Sequence, residues 1–219
     1  MTYFFDIGAN NGSDSMHWLN HHIDKGGIVY AFEPTPQLCE KIKTQIQERK
    51  WQDRYLVIQK AVSHFNGTAP FYVSGQADWG CSSLDQFQDS IELEKTWPGR
   101  QDFKVTDTIQ VEVIRLDQFI EDEKLLAKDP NFRIDYLHVD AQGEDLNVLK
   151  SLGKYLTLVK EGVIEMPSSH QQKLYKDQLY VMEDAVNFLK ENGFIIDKIE
   201  SNDTQTNEVN IYFHASSSS

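Results

Sequence analysis

Short apolar runs alternate with amphipathic ones along most of the chain. Residues 3–7 form the first run, Tyr3, Phe4, Phe5, Asp6 and Ile7, and predict a buried strand. The period then changes. Met16, Leu19 and Ile23 make a helical stripe, with Ser13 placed to cap it and Asp14 suited to the positive end of the helix dipole. Gly26 and Gly27 stop that helix, and residues 28–32 predict a second strand. Thr35 and Pro36 start a second helix, whose Leu38, Ile42 and Ile46 recur every fourth residue. Residues 55–62 predict a third strand.

The pattern changes after residue 68. Residues 69–73 and 109–114 predict a pair of strands, the second with Val111 and Val113 alternating with Glu112. A long irregular stretch holding Trp79 and Trp97 separates them, of the length that often serves as a lid or binding loop. Strand signals resume at 134–139 and 158–164, with a helix between them through Leu146, Leu149 and Leu152. A helix through Met182, Val186 and Leu189 ends at Asn192 and Gly193, and residues 194–199 and 209–213 predict a closing hairpin. Alternating strands and helices give an α/β fold with a mainly parallel sheet. One domain is expected over residues 1–215, with an insert at about 68–115 and a disordered tail at 216–219.

The 219 residues suit a single core, and 40% hydrophobic with 25% charged residues is a globular composition. A net charge of −13 argues against a nucleic-acid binder, which needs a basic surface. No apolar run approaches the roughly 18 residues of a membrane span. Asp6 interrupts the first apolar run, which argues against a secretory leader. Cys39 and Cys81 form no metal-ligand pattern and predict reduced thiols, so a cytoplasmic location is expected.

The first strand runs into Asp6-Ile7-Gly8-Ala9-Asn10-Asn11-Gly12, an acid-first glycine loop. A dinucleotide-binding dehydrogenase would show Gly-x-Gly-x-x-Gly there, with pyrophosphate on the helix end. An acid in place of the first glycine repels pyrophosphate and can bind an ammonium group. A cofactor with an α-amino acid and no phosphate fits, and S-adenosylmethionine is one. A tight strand-to-helix turn would need the same glycines. The second strand ends in Glu33 and Pro34, about twenty residues past Gly12, where a ribose-binding acid is expected. The candidate cradle is therefore Asp6, Gly8, Asn10, Asn11, Gly12 and Ser13 with Glu33 and Pro34. Ala61 and Val62 would meet the adenine edge at the end of strand three.

The chain resembles the FkbM-type methyltransferases, a branch of the class I S-adenosylmethionine-dependent enzymes. The resemblance rests on the acid-first loop, on Ala31-Phe32-Glu33-Pro34, on Ser82-Ser83-Leu84, and on the segment from Ile134 through Asp140-Ala141-Gln142-Gly143-Glu144. The last segment departs from the family pattern Asp-Val-Glu-Gly-Ala-Glu: an acid has become Gln142, and His138 stands where the family has Lys. The resemblance implies a Rossmann-like, doubly wound sheet of seven strands with the last antiparallel. It also implies O-methylation of a sugar or other hydroxyl. Many relatives carry an N-terminal helical segment over the active site. Here closure would fall to the 75–108 stretch or to a second subunit of a homo-oligomer.

A hydroxyl acceptor calls for a base or a metal. Asp140, at the end of strand four, is the first candidate base; Glu144 is one turn farther, and Glu165 ends strand five. Asp140 and Glu165 could share a divalent cation such as magnesium. His138 is an alternative base, although its strand is expected to be buried on both faces. Ser83, with Ser82, would line the methionine or substrate end. The acceptor itself, a small molecule or a glycan, is left open. The alternative to an enzyme is a binding or scaffold protein that keeps the fold, a reading that Gln142 favours.

Overall fold

The computed structural model describes residues 1–75, 80–98, 103–202 and 207–216. Its main sheet has seven strands in the order β3-β2-β1-β7-β8-β10-β9. β1 (Thr2–Ile7) lies between β2 (Gly27–Phe32) and the central strand β7 (Tyr136–Val139), parallel to both. β3 (Tyr55–Ile58) and β8 (Glu161–Pro167) extend the parallel part on either side. β9 (Phe194–Ser201) and β10 (Glu208–Ala215) form the closing hairpin, and β10 runs antiparallel to β8.

Alternation along β1 sorts its residues between two cores. Tyr3, Phe5 and Ile7 join the larger core with Leu137, Val139, Ile164 and Ile211. That core is roofed by α4 (Leu116–Asp122), α6 (Asp145–Ser151) and α7 (Met182–Glu191), and the four-residue α5 (Leu125–Lys128) adds Leu125. Phe4 turns to the other face, where α1 (Ser13–His22) and α2 (Pro36–Glu48) supply Met16, Leu19, Ile42 and Ile46.

Several local expectations need correction. Gly12, in the left-handed region at φ 76°, is the N-cap of α1, and Ser13 is its exposed first residue and makes no cap. The helical stripe ends early, because Ile23 opens a 3-10 turn that closes on Gly26. The third strand is not continuous to residue 62. The Lys60 N–H turns back onto the Ile58 carbonyl at 2.9 Å, which ends the ladder at Ile58. Ala61 and Val62 become β4 and pair in parallel with β6 (Val105–Ile114). The expected inserted pair of strands is therefore a three-stranded sheet, β4-β6-β5, with β5 (Gly67–Ser74) antiparallel to β6.

The stretch between β5 and β6 is packed where described. α3 (Ser90–Thr96) brings Leu93 against Phe87, Trp97, Phe103, Leu174 and Tyr175. Trp79 lies outside the described residues. At the chain end Ser216 is held by two hydrogen bonds to the Gly193 carbonyl, so the expected loose tail does not include it, and residues 217–219 lie outside the description. No helix among the described residues is long and apolar enough to cross a membrane.

Candidate active site

A cleft opens beyond the carboxyl ends of β1, β2 and β7, the position at which doubly wound sheets bind ligands. Its apolar side is built from Ile7, Phe32, Leu38, Val62, Phe71 and Leu84. Gly8, Asn10, Glu33, Pro34, Ala61, Asp140 and Gln142 also line it. The chain turns tightly at Gly8, whose N–H and that of Ala9 both donate to the Phe32 carbonyl, at 3.0 and 2.9 Å. Gly8 has φ 80°, and a Cβ there would overlap the carbonyl oxygen of Asp140. Only glycine lets β1 and β7 close together at this point.

Glu33 faces the cleft from the end of β2 while only 5% exposed. Its Oε2 accepts the Asn10 N–H at 2.9 Å and its Oε1 accepts the Thr35 N–H at 2.8 Å. Burial pushes this carboxyl up to about 7, against the pull of those N–H donors. Beside it, Asn10 Oδ1 is buried with no hydrogen-bond partner. A carboxylate and an unsatisfied amide oxygen next to an apolar slot suit a nucleoside with ribose hydroxyls to donate.

Asp6 is not part of that cleft wall. Being one residue from Ile7, it takes the opposite face of β1. Its Oδ2 accepts the Ser15 hydroxyl, and its Oδ1 accepts His138 Nδ1 at 2.8 Å. The Ser15 oxygen lies 2.7 Å from the Tyr55 hydroxyl. Burial works against a charge on His138, but the Asp6 carboxylate outweighs it and raises the imidazole to about 9. The strand around His138 is not covered on both faces: its side chain is 21% exposed, in a groove with Asp14, His17, Tyr136 and Tyr212. Asn11 serves the turn, accepting the Ser13 N–H at 2.9 Å and Gln45 Nε2 at 3.3 Å.

Asp140 follows β7 and lines the cleft. Gln142 Nε2 donates to Asp140 Oδ1 at 2.6 Å and to Glu165 Oε2 at 2.9 Å, so one amide joins the two acids. Asn202 donates to the other oxygen of Glu165. Burial raises Asp140, with His138 and Gln142 opposing it. Burial and then the Asp140 charge raise Glu165 well above the usual carboxylate range. Glu144 does not join this cluster. It accepts the Ser63 hydroxyl and Asn147 Nδ2, behind the α6 terminus. Asp145 instead orders the loop, accepting the Ala141 and Gly143 N–H groups at 2.6 and 3.0 Å. Ser83 is buried, and its hydroxyl donates to the Gln142 carbonyl at 2.5 Å; its neighbour Ser82 lines the cleft.

The donor set does not suit a cation between Asp140 and Glu165. The Gln142 amide nitrogen already bridges the two acids, and a metal would have to displace it. Among the described residues no group of three or more His, Cys, Asp or Glu side chains is arranged to hold a metal ion.

Residues 6–196 match the methyltransferase FkbM domain. The chain belongs to that family. A methyltransferase FkbM structure from Methylobacillus flagellatus KT is similar over 97% of this chain and 43% of its own, at 12% identity and a TM-score of 0.56. A fibrillarin from Aeropyrum pernix, in complex with natively bound S-adenosyl-L-methionine, is similar over 97% of this chain and 65% of its own, at 12% identity and a TM-score of 0.50. The chain thus spans less than half of the first of these and about two thirds of the second. No curated protein matches it in sequence. The Glu33 cleft offers a buried carboxylate, an unsatisfied amide oxygen and an apolar slot, groups that could hold the nucleoside of S-adenosylmethionine.

Proposed function

We propose that the protein transfers a methyl group from S-adenosylmethionine to a hydroxyl oxygen of a small acceptor, a sugar or a related polyol. The observation that carries this reading is Asp140, a cleft-lining carboxylate backed by a second buried acid, Glu165. The cofactor would supply a methyl group already activated on a sulfonium. Glu33 would hold the ribose hydroxyls, and the apolar slot of Phe32, Leu38, Val62 and Leu84 would take the adenine. The chain's own task is then to orient the acceptor and remove its proton.

Asp140 would take that proton from the acceptor oxygen. An ordinary carboxylate is a weak base at neutral pH. Burial raises Asp140 towards the working range, where general-base catalysis is most effective. Glu165 is the second seat for the same proton, since the two carboxyls hydrogen-bond each other and the Gln142 amide donates to both. The acids around this end of the cleft, with the net charge of −13, oppose a phosphate backbone and favour a neutral acceptor.

The test is a mass-spectrometric screen of hydroxylated sugars for a gain of one methyl in the presence of cofactor. An Asp140→Asn variant then separates binding from chemistry. Titration calorimetry should show its affinity for S-adenosylhomocysteine within a factor of about two of the parent. Its turnover should fall by about 10²- to 10⁴-fold, the usual worth of a general base. Unchanged turnover would remove Asp140 from the role.

A further inference from the structure

The loop after β7 contains a hub that neither acid explains. Gln142 sits in the left-handed region at φ 50°, a conformation that a non-glycine residue holds only when its surroundings fix it. Every polar group of its side chain is engaged. The amide nitrogen donates to Asp140 Oδ1 and Glu165 Oε2, and the amide oxygen lies 2.7 Å from the Tyr175 hydroxyl, whose single proton it shares with the Cys81 carbonyl at 2.9 Å. Its main-chain oxygen accepts the Ser83 hydroxyl.

Tyr175 is fixed independently. It is 1% exposed, and its ring stacks on Phe87 at 5.3 Å between centroids and 19° between planes. Phe87 and Tyr175 also form an antiparallel bridge, and Gln88 Nε2 donates to the Tyr175 carbonyl at 3.1 Å. The ring lies so close over Gly143 that a Cβ there would stand 3.0 Å from Cδ2. The hydroxyl therefore reaches Gln142 from a rigid aromatic cluster. An amide turned the other way would set its carbonyl oxygen against the two acids and would leave the tyrosine proton to the Cys81 carbonyl alone.

We propose that Gln142 and Tyr175 are positioning residues for the Asp140–Glu165 pair: Tyr175 sets the orientation of the Gln142 amide, and that amide holds the two acids as one proton-sharing unit. The proposal rests on the reading of Asp140 as the base. By the resemblance noted in the sequence, Gln142 stands where the FkbM pattern would carry an acid. In this chain a third negative charge is replaced by a donor that both remaining acids use.

The groups that face the pair are His138 on β7, Asp6 on β1, Asp145 on α6, and Glu208 and Asn202 on the closing hairpin. A donor to a carboxylate favours its charged form, so loosening the amide must move the titration of the pair upward. The experiment is a carbon-13 titration of Asp and Glu side-chain carboxyls in the ligand-free protein. It compares the parent with Tyr175→Phe, Gln142→Met and Gln142→Glu. Tyr175→Phe keeps the stacked ring, and Gln142→Met keeps the volume without the donor.

Both should raise the midpoint of the pair by about one pH unit, and Gln142→Glu should raise it further. For Tyr175→Phe the affinity for S-adenosylhomocysteine should stay within about twofold, because Tyr175 lies outside the cleft lining and Glu33 and its donors are untouched. In turnover assays the acidic limb of kcat/KM should move by the same amount. If Tyr175→Phe fails to fold, Gln142→Met decides. A pair midpoint that stays put in a folded variant of either residue overturns the proposal. A parent that methylates no acceptor would sink the proposed activity alone, because the carboxyl titration is read without turnover.

Discussion

His138 and Asp6 allow a sharp test of how the buried centre is held. The imidazole is raised from 6.5 to about 9 by the Asp6 carboxylate, against the opposing effect of burial. At 1.36 kcal/mol per unit, that difference is worth about 3 kcal/mol of folding stability. The folded value lies above the unfolded one, so this stabilisation is fully present below pH 6.5 and is lost as pH rises through 9. His138→Gln keeps a hydrogen-bond donor for Asp6 but carries no charge. Urea unfolding of parent and variant at pH 6 and pH 9.5 isolates the charge, because the other buried acids are common to both proteins. The variant should be less stable than the parent by about 3 kcal/mol at pH 6 and nearly equal to it at pH 9.5. An equal gap at both values would mean that the imidazole is neutral in the folded protein, and the ion-pair argument would fall.

Glu33 and Gly8 carry further expectations. With Glu33 raised to about 7, the carboxylate that would accept ribose hydroxyls is lost below neutrality. Calorimetric affinity for S-adenosylhomocysteine should therefore fall as pH drops from 8 to 6. Glu33→Ala should weaken binding by about tenfold to a hundredfold and abolish that pH dependence. A Gly8→Ala substitution forces a Cβ into the Asp140 carbonyl at φ 80°. It should cost at least about 2 kcal/mol, read as a drop in thermal midpoint; an unchanged midpoint would contradict the tight β1–β7 approach.

The strands of the main sheet were legible because each is a run of apolar residues with clear breakers, and the glycines and prolines marked their ends. The break at Ile58 was not, since it depends on a single N–H of Lys60 turning back, and residues 55–62 carry no breaker. The two acids near the ends of β1 and β2 are both visible in the sequence, and the direction each takes depends on its parity along the strand. Asp6 shares parity with Phe4, which packs under α1, so alternation alone would have turned it away from Ile7 and the cleft. Asp140 and Glu165 were legible as acids at strand ends. Tyr175 and Asn202 were not, because they come from segments without a motif, 33 residues beyond Gln142 and 37 beyond Glu165. Gln142 did stand out as a departure from the family pattern, but its partners Glu165 and Tyr175 lie far along the chain and are not legible beside it. A lost acid reads as a lost role until its donors and acceptors are seen together.

The place of β10 also governs the order in which the molecule can be completed. The strand lies between β8 and β9, yet it is the last strand in the chain. During synthesis β8 therefore has an open hydrogen-bonding edge until residues 208–215 have emerged. Glu165 gains its Asn202 partner only with that hairpin. Closing that edge and finishing the surroundings of Glu165 are thus one event. A chain cut short of residue 208 would leave the β8 edge unpaired beside Glu165, a surface open to pairing with another strand.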